Sequence, residues 1–196
     1  MNGTVVAVIV VAVVVVVIVA VVALLAARRR RQQQERQEEA RREYGPEYER
    51  TVEEQGSEKE AESELRQRRE KVESEVRPLP EESRGRYAER WEEVERTFVD
   101  DPAGALDGAD RVVAEIMAER NFPTESREEA SKGLGVMHSD VADDFREAQR
   151  VHREAVGASD GGGASGDSGG EGGEDLERMR EAIQEYRSVY ERLTRG

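Results

Sequence analysis

The feature that most constrains this chain is an uninterrupted apolar run near its beginning, followed at once by four arginines. Every residue from Val5 to Ala27 is Val, Ile, Leu or Ala. A helix of this length spans roughly 35 Å at about 1.5 Å per residue, enough for a hydrocarbon core about 30 Å thick. A lone strand would leave its backbone groups unpaired in lipid. The run therefore predicts a transmembrane helix over residues 4–27.

The charges that flank the apolar run predict its orientation. The four residues before Val5 contain no Lys or Arg, whereas Arg28 to Arg31 follow the run directly. Positive charge is retained on the cytoplasmic side, so we expect lipid contact over residues 4–31, an outer N-terminus and a cytoplasmic C-terminal domain. The run is too long for the core of a signal peptide. Export of residues 28–196 stays open as an alternative.

Composition excludes several functions. The chain has no Cys, so disulfides, zinc–thiolate sites and cysteine nucleophiles are ruled out. Its net charge of −14 belongs entirely to the residues after the apolar run. An acidic surface repels phosphate, which argues against nucleic acid as the partner.

Apolar residues are spread unevenly over the polar part of the chain. Residues 28–84 contain nine of them and residues 85–156 contain twenty-eight. This contrast predicts a charged helical stalk over residues 28–78 and a helical bundle core over residues 79–156. Gly45-Pro46 favours a break within the stalk, between one helix end and the next helix start.

The predicted bundle helices are recognised by apolar residues that recur every three or four positions. The first contains Tyr87, Trp91, Val94 and Phe98, and the next contains Leu106, Ala109, Val113, Ile116 and Met117. Another helix begins at Ser139, with Val141, Phe145, Ala148 and either Val151 or His152 facing inward. The sequence therefore predicts an all-α fold.

A Gly/Ser-rich segment precedes the last predicted helix. Its composition indicates a disordered linker over residues 157–174. The helix over residues 175–195 is amphipathic, with an apolar stripe of Leu176, Met179, Ile183, Tyr186, Tyr190 and Leu193. We expect this stripe to pack on the chain's own bundle; binding to another protein is the alternative.

None of the short motifs predicts a catalytic, cofactor-binding or metal-binding residue. Residues 161–166 read G-x-G-x-x-G, but no strand precedes them, so they do not resemble a nucleotide-binding loop. His138 and His152 lie near Asp140, Asp143 and Asp144 in a spacing that matches no metal-ligand pattern, and a solvated helix face is the favoured interpretation. Asp100-Asp101 before a proline favours a helix cap.

Beside the apolar run with its arginines, three further segments are distinctive, which are Gly45–Glu54, Arg86–Trp91 and Phe98–Pro102. In these features the chain resembles a group of actinobacterial single-pass membrane proteins of unknown function. The resemblance covers most of the chain except the Gly-rich linker. It implies a membrane-anchored architecture and brings no reaction, cofactor or site residues.

These observations predict a non-catalytic interaction or scaffold module on a membrane anchor, with an unidentified protein partner. The alternative is a small-ligand binder or enzyme, with a pocket between bundle helices lined by Tyr87, Trp91 and Tyr186. Aromatic residues at helical spacing are more simply explained as core.

Overall fold

The computed structural model describes residues 21–25, 27–28, 31–32, 34–160 and 171–195. The chain divides into two compact units, residues 1–43 and 44–196. In the first unit, every described position is helical. Among the described residues, no helix combines the length and apolarity needed to cross a bilayer, and most of the predicted span lies outside them.

The described part of the second unit contains helices and turns but no strand, which confirms the predicted all-α class. Its helices are α1 (Pro46–Gln55), α2 (Glu58–Glu75), α3 (Glu81–Asp100), α4 (Pro102–Glu119), α5 (Arg127–Met137), α6 (Ser139–Asp160) and α7 (Glu171–Arg195). The most extensive packing joins α6 to α7, α4 to α7, and α3 to α4. Helix α4 thus lies between α3 and α7.

Local capping signals explain where several helices begin. Gly45 has a positive φ of 51° and Pro46 occupies the first turn of α1, as the Gly-Pro pair predicts. The Ser57 side chain accepts a hydrogen bond from the Glu60 amide, and Asp101 accepts one from Gly104 at 2.9 Å. Each cap satisfies a backbone donor that has no partner within its helix.

The predicted core faces of α3 and α4 are confirmed. Tyr87, Trp91 and Val94 are buried on α3, and Phe98 is half-buried near its end. All five predicted apolar positions of α4 are fully buried. Because α4 contacts helices on both sides, its apolar surface is wider than a single stripe.

The predicted boundary between stalk and bundle, at residue 78, differs from the structure. The division falls after Glu43, and α1 and α2 belong to the same compact unit as α3 to α7. Tyr48 and Leu65 are completely buried, so the core begins near residue 48 rather than residue 79. Few apolar residues suffice here because α1 and α2 also attach through ion pairs, which a count of apolar residues does not detect.

The last helix packs on the bundle as expected, and Tyr186 and Leu193 of the predicted stripe are buried, but the rest of the buried face is shifted from the predicted one. Its buried residues are Ala182, Tyr186, Val189 and Leu193, whereas Leu176 is exposed and Met179, Ile183 and Tyr190 are half-buried. The expected Gly-rich linker is also shorter, since α6 extends to Asp160 and α7 begins at Glu171. The remaining linker positions, with the G-x-G-x-x-G match, lie outside the described residues.

Candidate functional site

The first polar cluster inside the unit is centred on His152 of α6. Its side chain is only 6% exposed, with Nε2 at 3.6 Å from Asp107 Oδ1 and Nδ1 at 3.8 Å from Asp110 Oδ2. Neither ring nitrogen has a hydrogen-bond partner among the described residues. The two carboxylates lie three residues apart on α4, so one face of that helix presents both of them to the imidazole.

Asp110 is the best-connected member of this cluster. Its two oxygens accept hydrogen bonds from the Arg127 guanidinium at 3.1 and 2.8 Å. Oδ1 also accepts one from the Tyr186 hydroxyl at 2.9 Å. A bidentate guanidinium is a strong partner for a carboxylate, so Asp110 joins α4, the start of α5 and α7.

The interpretation of His152 as part of a solvated helix face is therefore wrong, whereas the expectation of an inward Val151 or His152 on α6 is confirmed, since both are buried. The acidic groups near His152 come from α4 rather than from its own helix. Asp140 instead pairs with Arg192, and Asp143 with Arg50 and Arg146. Among the described residues, no group of three or more potential ligands has the arrangement of a metal site.

A second buried cluster is centred on Glu47, in the first turn of α1. Glu47 is 3% exposed; its carboxylate pairs with Arg146 of α6 and lies 3.8 Å from Arg68 of α2. Arg146 also binds Asp143 at 3.0 Å, and Arg68 binds Glu64 at 2.7 Å. Buried charges need such partners because leaving water is costly.

The backbone of α5 makes room for this carboxylate. A Cβ atom built on Gly135 would lie 2.9 Å from Glu47 Cδ, closer than real contacts allow. Gly135 therefore permits the close approach of α1 to α5. The Glu47 cluster was not predicted, because Glu47 and Arg68 occur in runs of charged residues that look uniformly solvated.

The aromatic residues proposed to line a pocket are packed together or hydrogen-bonded. Trp91 stacks on Tyr190 with ring centroids 4.8 Å apart, and its Nε1 donates to Glu95 at 3.0 Å. Tyr87 donates to Glu119 at 2.8 Å, and burial is the largest cause that raises the pKa of its hydroxyl. These contacts are those of core residues that satisfy their polar ends.

A groove of about 390 Å³ lies between α2, α5 and the loop that precedes α5. Its volume is within the range of ligand pockets. Its lining is mostly charged, with Glu64, Gln67, Arg68, Lys71, Val72, Glu75, Pro123, Glu129 and Gly133. Three glutamates face one arginine and one lysine, so the charges largely offset one another and favour no single ligand charge.

A third polar contact fixes the end of the last helix. The Arg120 side chain is 4% exposed and donates to the carbonyl oxygens of Arg77 at 3.0 Å and Leu193 at 2.8 Å. Burial, together with nearby Arg84, lowers the pKa of Arg120. The negative end of the α7 dipole compensates this guanidinium, which acts as a cap for α7.

Comparison with known proteins gives no match. No protein-family model, no curated protein and no solved structure is significantly similar to the chain.

Proposed function

We propose that this chain is a membrane-anchored, non-catalytic helical module that binds a protein partner at the cytoplasmic face. The observation that carries this proposal is the separation of apolar, basic and acidic residues along the sequence. The apolar run from Val5 to Ala27 is a lipid anchor, and Arg28 to Arg31 hold it with the following residues inside.

The distribution of charge supports a basic partner surface. Residues 1–43 contain seven arginines and four glutamates, a net charge of +3, so residues 44–196 carry the remaining −17. An anionic leaflet attracts the first segment and repels the second. Opposite charge accelerates association and selects partners, so we propose a partner with a basic surface.

The interior of the helical unit also favours a binding role. The polar groups His152, Tyr186 and Glu47 are buried and Asp110 is half-buried, and each contacts other side chains of the unit. We interpret these clusters as fold-determining. The exposed surface is then the part of the unit available for function.

Fractionation of cells tests the anchor. The full chain is expected in the membrane fraction after an alkaline wash, whereas Val14→Asp combined with Val17→Asp is expected in the supernatant. Each aspartate at a helix centre adds about 3 kcal/mol to the cost of insertion. Equal behaviour of the two proteins contradicts the anchor.

Photo-cross-linking in cells tests the binding role. Glu89 is exposed on α3 and has no described ion pair. A cross-linking residue at this position should give an adduct of one size, and the yield of that adduct should fall as the salt concentration is raised. The double variant Val14→Asp, Val17→Asp provides the control, because it changes where the protein lies in the cell and leaves the helical unit itself unchanged. Lack of a discrete adduct at Glu89 and at exposed positions on the other helices contradicts the proposal.

A further inference from the structure

The contact between α6 and α7 contains a group of like charges. Glu185 of α7 is half-buried. The negative charges of Glu147 and Asp144 on α6, and of Glu181 on its own helix, repel the ionised form of its carboxylate. Arg150 is the opposing charge, and it also pairs with Glu147 and Glu154. One oxygen of Glu185 is buried and has no hydrogen-bond partner in the part of the chain that the structure describes. An ionised carboxylate in this position is poorly stabilised.

Helix α7 is attached unequally along its length. Its second half contains Tyr186, Val189 and Leu193, all completely buried, and Arg120 binds the Leu193 carbonyl. In the first half, residues 173–178 are exposed and Ala182 is the first fully buried side chain among the described positions. Regions with few buried contacts open at a lower free-energy cost than the rest of a domain.

We propose that Glu185 makes the docking of the first half of α7 sensitive to protons. With a neutral Glu185, residues 173–185 pack on α6. With an ionised Glu185, repulsion from Asp144 and Glu147 of α6 and the cost of burying the charge detach this half, while residues 186–195 stay in place.

The charged groups on the neighbouring elements are consistent with this behaviour. Glu154 of α6 forms an ion pair with Arg178 of α7. This pair holds the exposed first turns of α7 against α6. Asp110 of α4 accepts a hydrogen bond from the Tyr186 hydroxyl and is itself bound by Arg127. Tyr186, which follows Glu185 directly, therefore stays fixed. The separation between a weak and a strong half therefore falls at residues 185 and 186.

The direction of the pH effect follows from the protonation equilibrium. Burial first, and then the three neighbouring carboxylates, raise the pKa of Glu185 from its usual 4.5 to about 7. The docked form therefore binds a proton more tightly than the detached form. Docking is most favourable at low pH and weakens as pH rises from about 4.5 through 7.

Detachment has a consequence for binding. Ala182 in the first half of α7 is buried, and Arg178 ties this half to Glu154 of α6, beside which Val151 and Ala155 are also buried. Opening would expose an apolar surface beside the Gly-rich segment. Such a surface is suited to an amphipathic helix of a partner protein, although the pH response itself holds whether or not the chain is anchored in a membrane.

Hydrogen exchange of the full chain in non-ionic detergent tests the proposal. Protection factors, which are corrected for the intrinsic pH dependence of exchange, are compared at pH 6 and pH 8. A pKa of about 7 in the docked form allows up to about a tenfold rise in opening between these pH values. Because Glu185 is only half-buried, we expect a rise of roughly three- to tenfold in residues 173–185, with little change in residues 186–193.

Charge-neutral variants identify the responsible group. Glu185→Gln should remove the pH response, and Asp144→Asn should reduce it by removing one repelling charge. Glu174→Gln is the matched control, because it makes the same change at an exposed position of α7 and should leave the response intact. A uniform response along α7, or an unchanged response in Glu185→Gln, overturns the proposal.

Discussion

The buried Glu47 cluster allows one prediction to be worked out in detail. Replacing Glu47 with Gln keeps the shape of the side chain and removes its charge. Arg146 and Arg68, which are 20% and 15% exposed, then lose a shared buried counter-ion. Removing one partner of a buried ion pair usually costs about 3–5 kcal/mol.

We expect the lower part of that range, about 3 kcal/mol, for Glu47→Gln. Asp143 still compensates Arg146, and Glu64 still compensates Arg68. Both arginines also retain some access to water, which screens their charges. The loss is nonetheless a large fraction of the stability of a domain of this size.

Urea denaturation followed by tryptophan fluorescence measures this loss. Trp91 is the only tryptophan in the chain, and it is buried against Tyr190, so its emission reports unfolding of the helical unit. Glu53→Gln is the control, an exposed change on the same helix that should cost less than about 0.5 kcal/mol. Equal midpoints for Glu47→Gln and Glu53→Gln would refute the reasoning.

Three further predictions use urea denaturation followed by circular dichroism, because the first of them removes the only tryptophan. Trp91→Ala should destabilise the unit by about 3–5 kcal/mol, since a stacked, buried ring is lost; a loss under about 1 kcal/mol would place Trp91 outside the core. Gly135→Ala should lower the free energy of unfolding by about 1–3 kcal/mol, because the new Cβ meets Glu47. Gly85 has open space around it, so the control Gly85→Ala should be neutral or slightly stabilising. Burial and two arginines lower the pKa of His138 from 6.5 to about 4, so the folded state is most stable above pH 6.5, where the ring is neutral. This stability is lost as pH falls through 4; the shift corresponds to about 3 kcal/mol, which we reduce to about 2 kcal/mol because the ring is half-buried and screened by water. The difference in stability between the wild type and His138→Gln should follow that course, and a difference independent of pH would contradict it.

The sequence predicts those parts of the fold that local patterns determine. The apolar spacing of Tyr87, Trp91 and Val94 identifies the buried face of α3, and Asp101 is confirmed as a helix cap. These features depend on residues within one or two helical turns. Periodicity and capping chemistry are sufficient to recognise them.

The two buried polar clusters could not be predicted in the same way. His152 meets Asp107 and Asp110 across more than forty positions of sequence, and Glu47 meets Arg146 across ninety-nine. A charged residue that will be buried looks the same in sequence as a solvated one. Only the packing of α1, α4 and α6 identifies which charges are paired.

The face of α7 shows a limit of periodicity itself. The stripe through Leu176, Met179 and Ile183 is regular, yet burial follows Ala182, Tyr186 and Val189. An alanine contributes little to an apolar pattern, but its small side chain lets two helices approach closely. The partner helices, which the sequence of α7 does not reveal, decide which face is covered.

Cysteine accessibility is the most direct test of the membrane anchor and its orientation. The chain contains no Cys, so Asn2→Cys and Ser188→Cys each introduce a unique thiol; Ser188 is exposed on α7. A membrane-impermeant maleimide should label position 2 in intact cells and position 188 only after the cells are permeabilised. Labelling of position 188 in intact cells, or recovery of the protein from the medium trimmed near Ala27, would contradict the account.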